Sequence, residues 1–263
     1  MTVDLETLKN NLAFLRLRRM AETFEAEAKR AAKIKTSYTG YLHRLIEEEV
    51  LAKTERSINA RLAKARFPVL KTLETFNFTF QPSVGEVLIK ELAELSFLAA
   101  AENVVLLGPP GVGKTHLAIS LGVRACTARK RVLFTAAHAL MDELVAALVS
   151  HTLAARLEIL SRLDLLIIDE LGYLPMDTNR ANLFFQLVSR LYEKGSLVIT
   201  TNKAFNQWGE IFGDDVIAGA ILDRVLHHSH IIAIQGDSYR IKDKKAQGID
   251  KQTKTGDNEK GEN

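Results

Sequence analysis

The sequence of 263 residues predicts an α/β fold, a parallel sheet sandwiched by helices, preceded by a small all-helical N-terminal domain. Two observations predict it. In residues 83–241, short continuous apolar runs alternate with helical stretches, which is typical of parallel strands joined by crossover helices. Before them, residues 4–66 carry apolar side chains at spacings of three and four, the pattern of amphipathic helices.

The N-terminal third is predicted to be helical. Leucines from Leu5 to Leu15, at alternating spacings of three and four, form one apolar stripe within residues 4–35. This stripe is too short to establish a coiled coil, so one face of a small helical bundle is favoured. A second helix is predicted over residues 38–66, and Pro68 ends it because proline disfavours the helical conformation of its predecessor.

The remaining boundaries follow from composition. Residues 69–82 predict an extended linker whose phenylalanines pack on the next domain. Residues 242–263 contain almost no large apolar side chains and are predicted to be a disordered polar tail, because burial cannot offset the entropy of ordering them. We therefore assign residues 1–75 to a helical domain and residues 76–241 to an α/β core.

The strands of this core place the candidate site. They are predicted at residues 103–107, 131–135, 164–168, 196–201 and 230–234. In an open parallel sheet, ligands bind at the carboxyl ends of the strands, so the residues that follow these runs are the candidate site residues.

The most specific signal is a phosphate-binding loop after the first strand. The fixed positions of the pattern G-x-x-x-x-G-K-[ST] are all filled. The residues are Gly108, Pro109, Pro110, Gly111, Val112, Gly113, Lys114 and Thr115, and His116 continues the helix that follows. Glycines let backbone N–H groups turn onto an anion, and the helix N-terminus adds its own. Lys114 is expected to reach the β- and γ-phosphates of a nucleoside triphosphate, and Thr115 to hold Mg²⁺.

Three further motifs are expected to act on the bound triphosphate. The apolar run 164–168 ends in Asp169 and Glu170, which predicts a carboxylate for Mg²⁺ and one that activates water. Asn202, after the fourth strand, predicts a side chain that senses the γ-phosphate and holds the attacking water. Arg224 lies in an apolar helical stretch, where it either pairs with a neighbouring acid such as Asp223 or acts as an arginine finger.

These motifs together resemble the IstB-type transposition helper ATPases, a branch of the AAA+ superfamily close to the DnaC-type helicase loaders. The shared stretches beyond the phosphate loop begin at Leu165, Ala181, Trp208, Phe212, Asp223 and Ser238. The resemblance implies an AAA+ ATPase that oligomerises on double-stranded target DNA, through ATP sites shared between subunits, and recruits or stimulates a transposase. By motif position it makes Arg224 the arginine finger and Arg240 a sensor arginine that contacts the nucleotide.

The DNA contacts are predicted from charge. Residues 1–80 carry 15 Lys and Arg against 10 Asp and Glu, whereas residues 81–241 carry 14 against 17. Basic segments attract polyanions such as a duplex, although a solvated helical surface has the same composition. The resemblance implies a DNA-contacting insertion near residues 139–162, which is poor in basic residues. The candidate contacts are Arg56, Arg61, Lys64 and Arg156.

Composition excludes several other classes of protein. No uninterrupted apolar run approaches a membrane span, and the first residues lack the form of a secretory signal, so we expect a cytoplasmic protein without membrane contact. The single cysteine, Cys126, excludes an internal disulfide and is predicted to be a packing residue. No metal is expected at His227, His228 and His230, because no Cys, Asp or Glu stands near them at ligand spacing in the sequence.

Two other functions fit a phosphate loop. A DnaC-like replicative helicase loader would have a nearly identical core and would differ in its partner surface and in its preference for single-stranded DNA. A phosphotransferase acting on a small acceptor would need an arginine-rich lid, which this sequence lacks, and Glu170 suits water activation better.

Overall fold

The fold comes from a computed structural model that describes residues 4–239. The chain divides into two compact units between Ala60 and Arg61, inside one long helix. The predicted polar tail, residues 242–263, lies outside the described residues.

The N-terminal unit consists of helices. They are α1 (Leu5–Phe14), α2 (Arg18–Lys33) and the part of α3 (Tyr38–Ala65) that ends at Ala60. Asp4 caps α1 by accepting hydrogen bonds from the backbone N–H groups of Glu6 and Thr7. The sequence pattern predicted one helical segment over 4–35, but the chain breaks between α1 and α2, where Arg16 adopts a φ of 58°.

The core of this unit is small. It contains Leu12, Met20, Phe24 and Leu45. Glu49 is buried beside them, and its carboxylate accepts hydrogen bonds from the Met20 backbone N–H and the Arg56 guanidinium, each at 2.9 Å. A buried carboxylate needs such partners because desolvation penalises its charge.

The second unit contains a five-stranded sheet. Its strands are β1 (Asn103–Leu107), β2 (Val132–Ala136), β3 (Leu165–Leu171), β4 (Ser196–Thr201) and β5 (Ser229–Ala233). They pair in the order β2-β3-β4-β1-β5, and every pairing is parallel. The helices of this unit after α3 are α4 (Glu86–Ala93), α5 (Ser96–Ala99), α6 (Lys114–Thr127), α7 (Ala137–Val149), α8 (Leu153–Ser161), α9 (Thr178–Leu191), α10 (Trp208–Phe212) and α11 (Asp215–Leu226). The predicted α/β class is confirmed.

Helices cover both faces of the sheet, which explains the continuous apolar strands. Successive residues of a strand point to opposite faces. Thus Val104 joins the core beneath α4, α5 and α6, whereas Val105 joins the core beneath α7 to α11. Both side chains are fully buried, and so no strand position in the centre of the sheet can be polar without a partner.

The structure bears on two expectations from composition, the absence of a membrane span and the packing role of Cys126. Among residues 4–239, no helix has the length and apolar character that crossing a bilayer requires. Cys126 is a buried packing residue of α6, and burial raises the pKa of its thiol to about 11. A thiol with that pKa stays protonated at neutral pH and is a poor nucleophile.

Candidate nucleotide-binding site

The phosphate loop joins the end of β1 to the start of α6 and is shaped by glycine. The Gly108 backbone N–H donates to the carbonyl of Thr201 at 3.1 Å, which fixes the loop beside the end of β4. Gly111 and Gly113 have φ values of 84° and 101°, a region that residues with a side chain rarely adopt. A Cβ at Gly113 would also lie 2.7 Å from the ring of Phe76. Both local strain and packing therefore require glycine at 113.

The loop encloses the ammonium group of Lys114. Its Nζ donates to the carbonyl oxygens of Gly108 and Pro109 at 2.6 and 2.8 Å. Val112 is fully buried in the core beneath α6, so only its backbone faces the loop interior. These contacts hold a positive charge against the loop at the N-terminus of α6, and helix N-termini of this kind bind phosphates.

Thr115 and Asp169 form the candidate magnesium site. The Thr115 hydroxyl Oγ1 lies 3.0 and 3.1 Å from the two carboxylate oxygens of Asp169, at the end of β3. The buried Thr200 hydroxyl of β4 donates to the same carboxylate. A hydroxyl and a carboxylate are oxygen donors of the kind that Mg²⁺ prefers, so these residues fit the ion that a phosphate loop implies.

Glu170 is turned out of the sheet by an irregularity in β3. The register between β3 and β4 shifts between Ile168 and Leu171, and Glu170 adopts a φ of 60°. Its backbone N–H donates to Thr200 Oγ1 at 2.9 Å, while its side chain is exposed. A bulge with a non-glycine residue at positive φ stores strain, and such positions concentrate at functional sites. Here the bulge directs a carboxylate into the cleft.

The cleft beside the loop has a volume of about 480 Å³. It brings the candidate residues of three strand ends together, namely Pro110, Gly111, Gly113, Lys114, Thr115, His116, Glu170 and Asn202. Asp169 lies directly behind Thr115, as its hydrogen bonds require. A larger cleft of about 640 Å³ lies between α4 and α6, but no residue of the loop from Gly108 to Thr115 lines it.

The sequence did not identify the residues that close this cleft. The linker contributes Phe76 and Asn77, and Tyr239 approaches from the far end of the chain. The Tyr239 backbone N–H donates to the carbonyl of Gly111 at 3.0 Å, and its hydroxyl donates to the carbonyl of Asn77 at 2.8 Å. The ring of Tyr239 also packs on Phe80, with centroids 4.2 Å apart. The pattern of aromatics in the linker showed that it packs, but it did not show against what.

His116 ties the linker to α6. Its Nε2–H donates to the carbonyl of Thr72 at 2.9 Å, and its ring lies edge-on to Phe76 with centroids 5.3 Å apart. Burial lowers the pKa of His116 below the usual 6.5, although the bond to Thr72 acts in the opposite direction. The neutral imidazole is thus the form that holds the linker.

We expect the stability of this unit to fall as the pH drops below 6.5. The unfolded chain then takes up a proton on His116, whereas the folded chain, with its lowered pKa, resists protonation until the pH is lower still. Thermal unfolding at pH 7.5 and 5.5 measures the drop for the wild type and for His116→Gln, whose amide can still donate to Thr72. A smaller drop in the variant is expected, because only the wild type carries the His116 imidazole. An equal loss of stability in the wild type and in His116→Gln would show that protonation of His116 does not cause the pH dependence.

Arg224 lies near the amino-terminal ends of the strands, whereas the phosphate loop lies at their carboxyl ends. It shares a small pocket with Asn103, and the Asn103 side chain donates to the carbonyl of Val225 at 2.9 Å. Asn103 begins β1 and the loop follows its end, a separation of about 16 Å for five residues. The guanidinium lies over the ring of Phe185, 4.7 Å from its centroid, and donates to the carbonyl of Ala220. Arg224 therefore does not face the cleft of its own chain.

The candidate DNA contacts differ in how much of their charge is available. The Arg56 guanidinium pairs with Glu49 at 2.9 Å, and Arg156 pairs with Glu143 at the same distance, with only 19% of its side chain exposed. In the second unit, Arg61 is half-buried and Lys64 is exposed. The sensor candidate Arg240 lies outside the described residues.

The histidines before β5 require a correction. His227 and His228 lie in an exposed turn, as expected, and His230 pairs with Glu102 at 2.9 Å. The expectation that no carboxylate joins the first two is wrong. The fold brings Glu193 close enough that it and both histidines can each offer a ligand atom within 4.8 Å of the others. The sequence pattern missed this because Glu193 lies on another turn.

The geometry agrees with what comparison with known proteins finds. The sequence profile of the family described as IstB-like ATP binding protein matches residues 10–247. The chain belongs to this family. The resemblance predicted from the motifs is thereby confirmed, and with it an ATP-binding protein of the insertion-sequence type.

Individual relatives of this IstB-like chain support the same assignment. It is 46% identical over 246 residues to an ATP-binding protein named for insertion sequence IS21 of Pseudomonas aeruginosa, with 94% of this chain and 92% of that protein covered. It is 45% identical to the corresponding protein named for IS5376 of Geobacillus stearothermophilus, with 87% and 91% covered.

Solved structures extend the comparison to the fold. The chain matches the crystal structure of DnaI with a TM-score of 0.53 at 21% identity, covering 63% of this chain and 91% of that one. It matches AMPPCP-bound DnaA from Aquifex aeolicus with a TM-score of 0.51 at 23% identity, covering 70% and 57%. At these identities the comparison establishes the AAA+ fold alone.

Proposed function

We propose that this IstB-like protein is an ATPase that binds double-stranded target DNA, oligomerises on it and recruits or stimulates a transposase. The observation that carries the proposal is the cleft in which Lys114, Thr115, Asp169, Glu170 and Asn202 meet. That set has the parts of an ATP hydrolysis site, and the relatives are named for insertion sequences. Such a protein would act in the cytoplasm.

The residues divide the work of hydrolysis between them. Backbone N–H groups of the loop and the Lys114 ammonium bind the phosphates, and Thr115 and Asp169 would hold Mg²⁺. When bound, the ion would neutralise part of the charge on the β- and γ-phosphate oxygens. Glu170 accepts a proton from the attacking water, and Asn202 holds that water in line with the γ-phosphate. The linker and Tyr239 cover the opposite side of the cleft, where they bind the remainder of the nucleotide.

The position of Arg224 supports ATP sites that are shared between subunits. Because it lies at the edge of the sheet away from its own loop, its guanidinium can reach a triphosphate only in a neighbouring subunit. Phe185 holds it from one side through a cation–π contact. An arginine supplied in this way stabilises the charge that develops in phosphoryl transfer.

The DNA contact is proposed for the basic N-terminal third. Lys64 and Arg61 on α3 are three residues apart and hence neighbours on one helix face. Arg56 would add to DNA binding only where a phosphate competes with Glu49, and Arg156 only where one competes with Glu143. If the duplex is also bent, by 40–90° over a short site, the cost is on the order of 1–6 kcal/mol, which contacts from several subunits would offset.

The proposal is tested by the mass of the assembly in solution. Light scattering of the full chain, with and without ATP, on a duplex of about 60 base pairs and on the matching single strand should show a large ATP-dependent assembly on the duplex only. Arg224→Ala should abolish that assembly and lower ATP turnover by about 10³-fold or more. ATP binding by the isolated chain should not change, since Arg224 is remote from its own cleft.

The control variant is Arg190→Ala, which removes an exposed arginine from α9. It should assemble and hydrolyse ATP like the wild type. Assembly that is preserved in Arg224→Ala would contradict the shared site. Small particles that prefer the single strand would instead indicate a helicase loader, the alternative that the sequence motifs leave open.

A further inference from the structure

Two exposed turns meet at the edge of the sheet opposite the phosphate loop. One follows α9 and contains Tyr192 and Glu193, and the other follows α11 and contains His227 and His228. One nitrogen of each imidazole and one carboxylate oxygen of Glu193 lie within 4.8 Å of one another. Ligands around a single Zn²⁺ ion are about 3.3 Å apart at bond lengths of about 2.0–2.1 Å. Side chains on exposed turns can close the difference by small rotations.

The surroundings orient one of the two histidines. His227 Nδ1 lies 2.7 Å from the Tyr192 hydroxyl, and the two rings stack with centroids 6.0 Å apart. Histidines that bind metals commonly donate their other ring N–H to a fixed oxygen, which sets the tautomer. When Nδ1–H donates to Tyr192, the lone pair of Nε2 is available to an ion. The centroid of the His228 ring lies 4.0 Å from that of His227, so the two rings stay on the same side of the turn.

The local charges favour a cation on balance. The turn follows the C-terminus of α11, where the carbonyl end of the helix dipole is negative, and Glu193 adds a full negative charge. Arg224 lines the pocket shared by Glu193 and His228, but its guanidinium is engaged by the carbonyl of Ala220 and the ring of Phe185. It therefore does not pair with the Glu193 carboxylate, which accepts a hydrogen bond from the Tyr192 hydroxyl and keeps further lone pairs for an ion.

We propose that Glu193, His227 and His228 bind one divalent transition-metal ion, of the class of Zn²⁺. Two imidazole nitrogens and a carboxylate suit Zn²⁺, whereas Mg²⁺ prefers oxygen ligands throughout. The bound ion would join the end of α9 to the end of α11, within one helical turn of Arg224. The proposal concerns the single chain and does not depend on the function proposed above.

The test uses the full chain, stripped of metal by a chelator, without nucleotide. Calorimetric titration with Zn²⁺ should show one ion per chain, and each of the variants Glu193→Gln and His228→Ala should weaken binding about 10-fold or more. The double variant His227→Ala/His228→Ala should abolish it. His230→Ala is the matched control, since that histidine pairs with Glu102, and it should bind like the wild type. Millimolar Mg²⁺ should not compete.

Thermal unfolding provides a second, independent measurement. A saturating excess of Zn²⁺, about 100 times its dissociation constant, should raise the melting temperature of the wild type by ~5–10 °C and leave that of the double variant unchanged. Because the ligands are exposed, their replacement should lower the melting temperature without metal only slightly, through the lost contact between His227 and Tyr192. No binding to the wild type, or full affinity in the double variant, would overturn the proposal.

Discussion

Glu170→Gln should slow ATP hydrolysis by about 10²–10⁴-fold while ATP binding stays intact. The amide has nearly the same shape as the carboxylate but cannot accept a proton from water at neutral pH. The proposed phosphate contacts should be unaffected, because they come from the loop and from Lys114, while Thr115 and Asp169 are proposed to hold Mg²⁺. The variant should consequently accumulate the ATP-bound assembly on duplex DNA.

Three measurements on one preparation check this result: phosphate release, binding of a fluorescent ATP analogue, and light scattering with duplex DNA. Glu91→Gln, at an exposed position of α4, is the matched control and should match the wild type in all three. Normal turnover in Glu170→Gln would show that another group activates the water. Loss of nucleotide binding would show that Glu170 contributes to ATP binding rather than to the hydrolysis step.

Lys114→Ala should weaken ATP binding by about 100-fold or more, because charge-assisted hydrogen bonds to phosphate contribute a few kcal/mol. The fold should survive, since the ammonium group contacts the carbonyls of Gly108 and Pro109 at the surface of the cleft rather than the core. Turnover and ATP-dependent assembly should both be lost, in contrast to Glu170→Gln.

Equilibrium binding of the same ATP analogue, with circular dichroism to verify folding, provides the measurement. Lys90→Ala removes a lysine from α4 that pairs with Glu86 and should leave nucleotide affinity unchanged. Wild-type affinity in a folded Lys114→Ala chain would contradict the assignment of residues 108–115 as the phosphate-binding loop.

The position of the Glu170 side chain could be predicted from the sequence only in part. The apolar run before Asp169 predicted a strand that ends at the ligand edge of the sheet, and the strand is there. The pattern placed both carboxylates beside the loop but did not predict the irregularity between Ile168 and Leu171. That irregularity leaves Asp169 buried against Thr115 and Glu170 exposed in the cleft. It depends on the partner strand, whose Thr200 accepts the Glu170 N–H.

The proposed metal site of Glu193, His227 and His228 could not be predicted in full from the sequence either. The pair His227 and His228 was visible in the sequence, but Glu193 lies 34 residues upstream on the turn after α9. Only the packing of α9 beside α11 brings the three together. Sequence spacing finds metal sites whose ligands share one local element, and this cluster does not.

The sequence by itself determined the α/β class, the IstB-type family and the phosphate loop. The physical reason is that each is encoded locally. Buried strands appear as continuous apolar runs, and a phosphate-binding loop is a contiguous stretch of backbone whose glycines are recognisable in the sequence. The tertiary structure alone decided which groups meet across the chain. Tyr239 closes the cleft against Asn77, 162 residues away, and Arg224 is held at the edge of the sheet remote from its own loop. Such contacts depend on how elements pack, which no local pattern records.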